Sequence, residues 1–273
     1  MRKSLQHIAE VGVRENWLIS TADIQVLPKR ILGKGGFGHV VLGVLHGTAV
    51  AVKVPLKRNR ATDSSMNALR ELASLCNELR VHRHLKHANI VEFRGACISA
   101  AAGELALIYD YVNGIRMDVF VAEQLPVGQG QFARLKLAIN ISCALKYLHK
   151  LSPSVVHGDI KPSNIMVEEV HKCYAKAKLL DFGLARKLTK RAKPLGGTRS
   201  WVAPELIVRN RVPAPAPKCS SDTFSFGLLV HYLLTGEHPM EQKGRQAPKL
   251  RWSEGTPFAQ DARALCKECL QLD

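Results

Sequence analysis

Residues 1–23 mix charged and apolar positions with no strong period, and Trp17 is the only large aromatic among them. From Ile24 the pattern turns to alternation. Residues 26–32, 40–45 and 49–54 are rich in β-branched side chains. A glycine-rich turn and a His46-Gly47 turn separate them, which is how a meander of antiparallel strands reads. Leu69, Leu72, Leu75 (with Cys76 beside it) and Leu79 then recur at three- and four-residue spacing, which predicts a helix. Two short apolar runs of strand length follow, at residues 90–93 and 105–111.

After Val112-Asn113-Gly114 the character changes. Residues 132–151 place Leu137, Ile141, Ala144 and Leu148 on one stripe, predicting an amphipathic helix. Residues 224–234 are apolar nearly all round, predicting a helix buried on every side, and 262–270 also reads as helix. A strand-rich part followed by a helix-rich part predicts an α+β chain of two lobes joined by a short hinge. The expected boundaries are an extension at 1–25, an N-lobe at about 26–112 and a C-lobe at about 113–273. No internal repeat is visible, and the proline-rich patch at 212–217 reads as a loop.

Composition narrows the classes. Of 273 residues, 46% are apolar, which excludes a chain disordered throughout. No apolar run reaches the roughly 18 residues that suggest a membrane span; the longest candidate, at 40–54, is broken by His46, Gly47 and Lys53. Met1-Arg2-Lys3-Ser4 leads into polar sequence with no apolar core of a secretory signal, so the chain reads as soluble and cytoplasmic. Cys266 and Cys269 approach a C-x-x-C pair, but no second pair faces them, so two reduced thiols are expected in place of a zinc site. The net charge of +16 draws on Lys57-Arg58-Asn59-Arg60 and on the segments at 80–87 and 186–193. It favours acidic partners. Without aromatic interleaving it does not recommend nucleic acid.

Several short strings carry chemistry. Gly33-Lys34-Gly35-Gly36-Phe37-Gly38-His39-Val40 lies between two predicted strands. A strand after the turn excludes the dinucleotide-binding version of this pattern, while side-chain-free residues let backbone N–H groups approach phosphate. In Ala51-Val52-Lys53, alternation sends Ala51 and Lys53 to one face, and a lysine there needs an ion partner or a phosphate. Glu71 and Glu78, seven apart on one face of the following helix, are both candidates for that partner. His157-Gly158-Asp159-Ile160-Lys161-Pro162-Ser163-Asn164 gathers carboxylate, ammonium and amide within six residues, and Asp181-Phe182-Gly183 follows another short strand. A carboxylate and an amide oxygen are hard ligands of the kind Mg²⁺ takes beside phosphate and water.

Together with Ala203-Pro204-Glu205, these motifs stand in the order and approximate spacing of the protein kinase signature set. The chain therefore resembles a eukaryotic-type protein kinase catalytic domain from about residue 26 to its end. Residues 197–205 and 221–227 resemble the tyrosine-kinase-like branch, most of whose members act on serine or threonine. The resemblance implies the two-lobed protein kinase-like fold, with a small antiparallel-sheet N-lobe bearing one helix and a larger, mainly helical C-lobe. ATP and Mg²⁺ would be its cofactors and protein substrates its partners. Leu32, Gly33, Lys34, Gly35, Gly36, Phe37, Gly38, Val40, Ala51, Tyr109, Asp110, Val112 and Met166 would form the nucleotide site, with Tyr109 as gatekeeper. Lys53 would hold the α- and β-phosphates. Counting back from His87-Ala88-Asn89-Ile90-Val91 selects Glu78 as its partner. Asp159 would accept the substrate proton, Lys161 would steady the γ-phosphate, and Asn164 and Asp181 would hold Mg²⁺. Lys161 and Thr198 resemble serine/threonine kinases, with tyrosine or dual specificity as the alternative.

Departures from the pattern carry their own expectations. Gly158 replaces the arginine that usually pairs with a phosphate on the activation loop, so phosphorylation at Thr189, Thr198 or Ser200 is not expected to be strictly required. His82, one turn after Glu78, takes a position usually apolar, and is expected to pack as a neutral ring. The family's arginine-bearing last helix, whose arginine pairs with the glutamate matching Glu205, is expected to be truncated; either the chain is a fragment or another contact neutralises Glu205, and burying it unpaired would reduce stability. The rival to an enzyme is a pseudokinase scaffold. Such proteins usually lose the lysine, the catalytic aspartate or the metal-binding aspartate, and Lys53, Asp159, Asn164 and Asp181 are all present.

Overall fold

The computed structural model describes residues 2–35, 38–55, 65–124, 130–171, 174–189, 196–207, 216–239, 248–252 and 258–271. The chain divides into two units, Met1–Lys86 with Val91–Val112, and His87–Ile90 with Asn113–Asp273.

In the first unit, a helix α1 (Arg2–Arg14) precedes strands β1 (Ile24–Gly35), β2 (Gly38–Leu45) and β3 (Thr48–Val54). Helix α2 (Ser65–His82) follows, then β4 (Phe93–Ser99) and β5 (Glu104–Asp110). The five strands form one antiparallel sheet in the order β1-β2-β3-β5-β4. β1 sits at an edge, and its pairing with β2 shifts register between Leu27 and Ile31. Pro28 lies in that interval and has no N–H for a ladder, which an edge strand tolerates. One face of the sheet buries Val41, Val50, Val52, Cys97 and Ile108 in a common cluster. Alternation sends Ala51, Lys53, Leu107 and Tyr109 to the other face.

Two expectations are corrected here. Residues 1–23 are not without periodic structure: Leu5 of α1 is buried, and Gly12 is so close to Trp17 that a Cβ would lie 2.8 Å from the indole. Leu5, Ile8, Ala9 and Gly12 line the inner side of this helix, a short stripe at three- and four-residue spacing that one turn of charged residues at each end obscures in the bare sequence. Leu18 then bridges to Ala96 of β4, so this segment is packed into the first unit. The second correction is Ile90, which starts no strand with Phe93. It makes a parallel bridge to Leu179 in the second unit.

The second unit opens with β6 (Ile115–Arg116), a short helix α3 (Met117–Val119) and a wide π-type turn (Phe120–Gln124). Helix α4 (Gln131–Lys150) and strand β7 (Val155–Val156) come next, then a 3₁₀ turn (Pro162–Asn164), β8 (Ile165–His171), β9 (Tyr174–Leu179) and β10 (Arg186–Lys187). After a second 3₁₀ turn (Pro204–Leu206) come α5 (Cys219–Thr235) and α6 (Ala259–Cys269). β6, β8 and β9 form one small sheet and β7 pairs with β10. α5 is buried along most of its length, from Ser221 to Thr235. It ends where Gly236 turns left-handed at φ 76° and returns its N–H to Tyr232 O. α5 begins before its apolar run and buries Ser221 and Asp222 as well. Cys266 and Cys269 are free thiols on α6. Glu205 is half-buried, and the Ser221 hydroxyl donates to its Oε1 at 3.1 Å, a neutral contact that brings no counter-charge. The basic strings at 57–60 and 190–193, Cys173, and most of the proline-rich patch lie outside the described residues.

Candidate active site

The glycine turn closes β1 onto β2, with Gly33 opposite Val40 and Gly35 opposite Gly38. Gly38 has φ +141°, and a Cβ there would meet Val54 O at 2.4 Å, so only glycine fits. Gly36 and Phe37 lie outside the described residues. Leu32 and Lys34 are exposed, and Val40 and Ala51 are half-buried.

Lys53 Nζ sits 2.7 Å from Glu78 Oε2, and only 8% and 1% of the two side chains is exposed. Glu71 is also buried, but Glu78 is the one that meets the lysine. Tyr109 is buried on β5 and its hydroxyl donates to the other Glu78 oxygen at 2.7 Å. Asp110 takes an ion pair from Arg94, and its N–H donates to Glu92 O at 3.0 Å. Val112 is buried. His82 is fully buried and packs as a ring, donating from Nε2 to Val91 O at 2.8 Å.

In the second unit the loop at 157–164 forms a tight polar array. The Thr198 hydroxyl donates to Asp159 Oδ1 at 2.7 Å. Lys161 Nζ lies 2.7 Å from Thr198 Oγ1 and 2.7 Å from Asp159 Oδ2. Asn164 Nδ2 donates to Asp159 O at 2.9 Å and to Asp159 Oδ2 at 2.8 Å. Both amide hydrogens are thereby used, so what Asn164 offers to an ion is its oxygen. Asp181 adopts a left-handed φ of 56°, strained for a residue with a side chain, and Gly183 N–H holds its Oδ1 at 3.2 Å. One amide oxygen and one carboxylate fit Mg²⁺, a hard cation that completes its shell with water and phosphate. Met166 stands half-buried on β8, opposite Lys178 of β9.

Beneath the loop lies a carboxylate to which the motif reading gave no role. Asp222, 1% exposed, takes the His157 N–H on Oδ2 at 2.7 Å and the Gly158 N–H on Oδ1 at 2.9 Å. His149 Nε2 donates to Oδ2 at 3.0 Å. His157 accepts the Asp159 N–H on Nδ1 at 3.2 Å and donates from Nε2 to Leu180 O at 2.9 Å. A ring that accepts on one nitrogen and donates to a carbonyl from the other is the neutral Nε2–H tautomer. Phe182, fully buried, packs edge-on to that ring at 4.8 Å. Two sequence signals touched Asp222: its place in the 221–227 string that resembles the tyrosine-kinase-like branch, and an acid just before a long apolar run, a position too costly for a charge without donors.

Comparison with known proteins decides the family. A family model described as "Protein kinase domain" matches residues 27–273. The chain belongs to the protein kinase family. It is similar to human "Mitogen-activated protein kinase kinase kinase 10", 33% identical over 221 residues, covering 78% of this chain and 22% of that protein. It is 34% identical over 219 residues to "Receptor-like serine/threonine-protein kinase ALE2" of Arabidopsis thaliana, covering 78% and 26%. To "Receptor-like kinase TMK2" of the same plant it is 32% identical over 253 residues, covering 86% and 26%. The kinase domain thus spans less than a third of these relatives' length. ATP is the phosphoryl donor the family implies. Among the described residues, no helix is long and apolar enough to cross a membrane.

Proposed function

We propose that this kinase domain transfers the γ-phosphate of ATP to serine and threonine hydroxyls of protein substrates whose flanks are acidic, and that it does so in the cytoplasm. The observation that carries the hydroxyl preference is the array of Lys161, Thr198 and Asp159, each about one hydrogen bond from the next. That the Thr198 hydroxyl donates to the Asp159 carboxylate supports the reading that an aliphatic hydroxyl is accepted there.

In this reading the acceptor oxygen forms a bond to the γ-phosphorus, the bond from phosphorus to the β–γ bridging oxygen breaks, and ADP leaves. Asp159 receives the hydroxyl proton, while Lys161 balances charge on the transferring group. Lys53, held by Glu78, binds the α- and β-phosphates, and the glycine turn at 33–38 covers them with backbone N–H groups. Leu32, Val40, Ala51, Tyr109, Asp110, Val112 and Met166 enclose the base. Asn164 and Asp181 hold Mg²⁺, which when bound neutralises phosphate charge. Asp222, His149 and His157 act through the loop, fixing where Asp159 stands. Gly158 leaves no arginine to read a loop phosphate, so the domain works without obligatory loop phosphorylation.

Charge supports the acidic flank. Between Asp181 and Glu205 the chain carries Arg186, Lys187, Lys190, Arg191, Lys193 and Arg199 and no acid. Arg199, next to Thr198, is exposed. The test is a peptide library incubated with ATP and Mg²⁺, with phosphoamino-acid analysis and Asp159→Asn as control. Phosphoserine or phosphothreonine that the variant fails to make, on acid-flanked peptides first, is the expected result. Nucleotide binding without any transfer would overturn the enzyme reading, and phosphotyrosine alone would overturn the specificity.

A further inference from the structure

In the first unit, the Tyr109 hydroxyl has no part in the phosphoryl-transfer reading. Tyr109 lies on β5 directly opposite Ala51 of β3, so Lys53, two residues along, is its diagonal neighbour on the same face. The hydroxyl donates to Glu78 Oε1 at 2.7 Å, while Lys53 Nζ lies 2.7 Å from Oε2. The last torsion of a glutamate is broad. A carboxylate held at one oxygen can therefore turn about it, and a donor on the second oxygen fixes its plane. Glu78 is 1% exposed, so neither donor competes freely with water.

The phenol is itself held. His82, one turn after Glu78 on α2, lies 5.0 Å from the Tyr109 ring at 39°, and Phe93 meets it edge-on at 5.9 Å. The His82 bond to Val91 O at 2.8 Å ties that imidazole to the backbone. An aliphatic side chain in its place has no donor with which to do this. The histidine at an ordinarily apolar position thus has a physical use, as a backing plate for the tyrosine.

We propose that Tyr109 is a positioning residue for phosphoryl transfer: its hydroxyl fixes the Glu78 carboxylate, and Glu78 thereby presents Lys53 to the nucleotide phosphates, with His82 steadying the phenol. The proposal rests on the reading of Lys53 as the phosphate-holding lysine. It makes a prediction that a merely space-filling tyrosine does not, because loss of the hydroxyl falls harder on ligands that carry phosphate.

The experiment measures binding of ADP and of adenosine by titration calorimetry to the wild-type chain, Lys53→Met, Glu78→Gln, Tyr109→Phe and the Glu78→Gln/Tyr109→Phe double variant. Tyr109→Phe keeps the ring and loses only the hydroxyl. Because the ring also faces the base, the readout is the difference between the two ligands: ADP is expected to weaken roughly ten-fold more than adenosine, the scale of one buried hydrogen bond to a charged group. In the Glu78→Gln background Tyr109→Phe is expected to add nothing. Should Tyr109→Phe melt too low to measure, His82→Leu is read in the same way, with a smaller excess loss of ADP over adenosine. Unchanged ADP binding, equal loss of ADP and adenosine, or full additivity with Glu78→Gln overturns the proposal. An unchanged ADP affinity in Lys53→Met overturns instead the reading of Lys53, and this proposal with it.

Discussion

At the scale of single residues, backbone geometry explains what the motif alone left as an oddity. Gly158 stands where the family usually has an arginine, and its φ is +78°, with a Cβ there 3.2 Å from Leu184 O. A side chain is strained at such a φ. We expect Gly158→Ala to cost about 1–2 kcal/mol, read as a melting temperature lower by a few degrees. The cysteines separate by environment. Burial pushes the Cys266 thiol up to about 12, with the neighbouring Cys269 adding to the shift, whereas Cys143 is exposed. A raised pKa keeps the thiol protonated and unreactive well above neutrality. Iodoacetamide at pH 8 is therefore expected to label Cys143 in the folded protein and Cys266 only after denaturation, as read by peptide mass mapping.

At the scale of elements, two helices do more than their patterns announced. α1 is joined to the sheet through Trp17, whose carbonyl accepts the Ala96 N–H at 3.0 Å. Its indole donates to Glu15 Oε2, which also takes Arg83 Nε just past the end of α2. Trp17→Ala removes a buried ring and is expected to cost about 3–5 kcal/mol, measured by chemical denaturation. α5 contributes Asp222, whose two oxygens serve two loop N–H groups and a histidine. An amide offers one acceptor oxygen in place of two. Asp222→Asn is therefore expected to lose about 1–3 kcal/mol of stability and to lower kcat more than the affinity for nucleotide, since it misplaces Asp159 and leaves Lys53 untouched. Loss of nucleotide affinity with kcat preserved would contradict this role.

At the scale of the whole molecule, charge is the property that local geometry does not reveal. The 39 lysines and arginines outnumber the 23 aspartates and glutamates, giving +16. A field of that sign concentrates acidic peptides and is screened by salt over roughly 10 Å at 0.1 M. The KM for an acid-flanked peptide is expected to rise several-fold between low and physiological salt, while that for a neutral peptide stays level. Equal salt dependence for the two peptides would assign the charge to solubility alone.

The alternating strands, the stripe of α4 and the all-apolar run of α5 were legible because hydrophobic period is a property of neighbours in the chain. The signature strings were legible for the same reason, since a loop or turn that handles phosphate packs its chemistry into a few consecutive residues. Other features needed the fold. Glu71 and Glu78 share a helical face, so spacing by itself left both open; the family resemblance singled out Glu78, and the packing brings that carboxylate to Lys53, 25 residues away in sequence. The Tyr109 hydroxyl meets that same carboxylate across 31 residues, and Asp222 receives the loop across 65. The Trp17 indole closes on Gly12 so tightly that a Cβ there would lie 2.8 Å from it. Each of these is a buried polar or packing contact, the polar ones between segments far apart in the chain. Its energy comes from excluding water around a partner, and sequence pattern carries no record of which partner that will be.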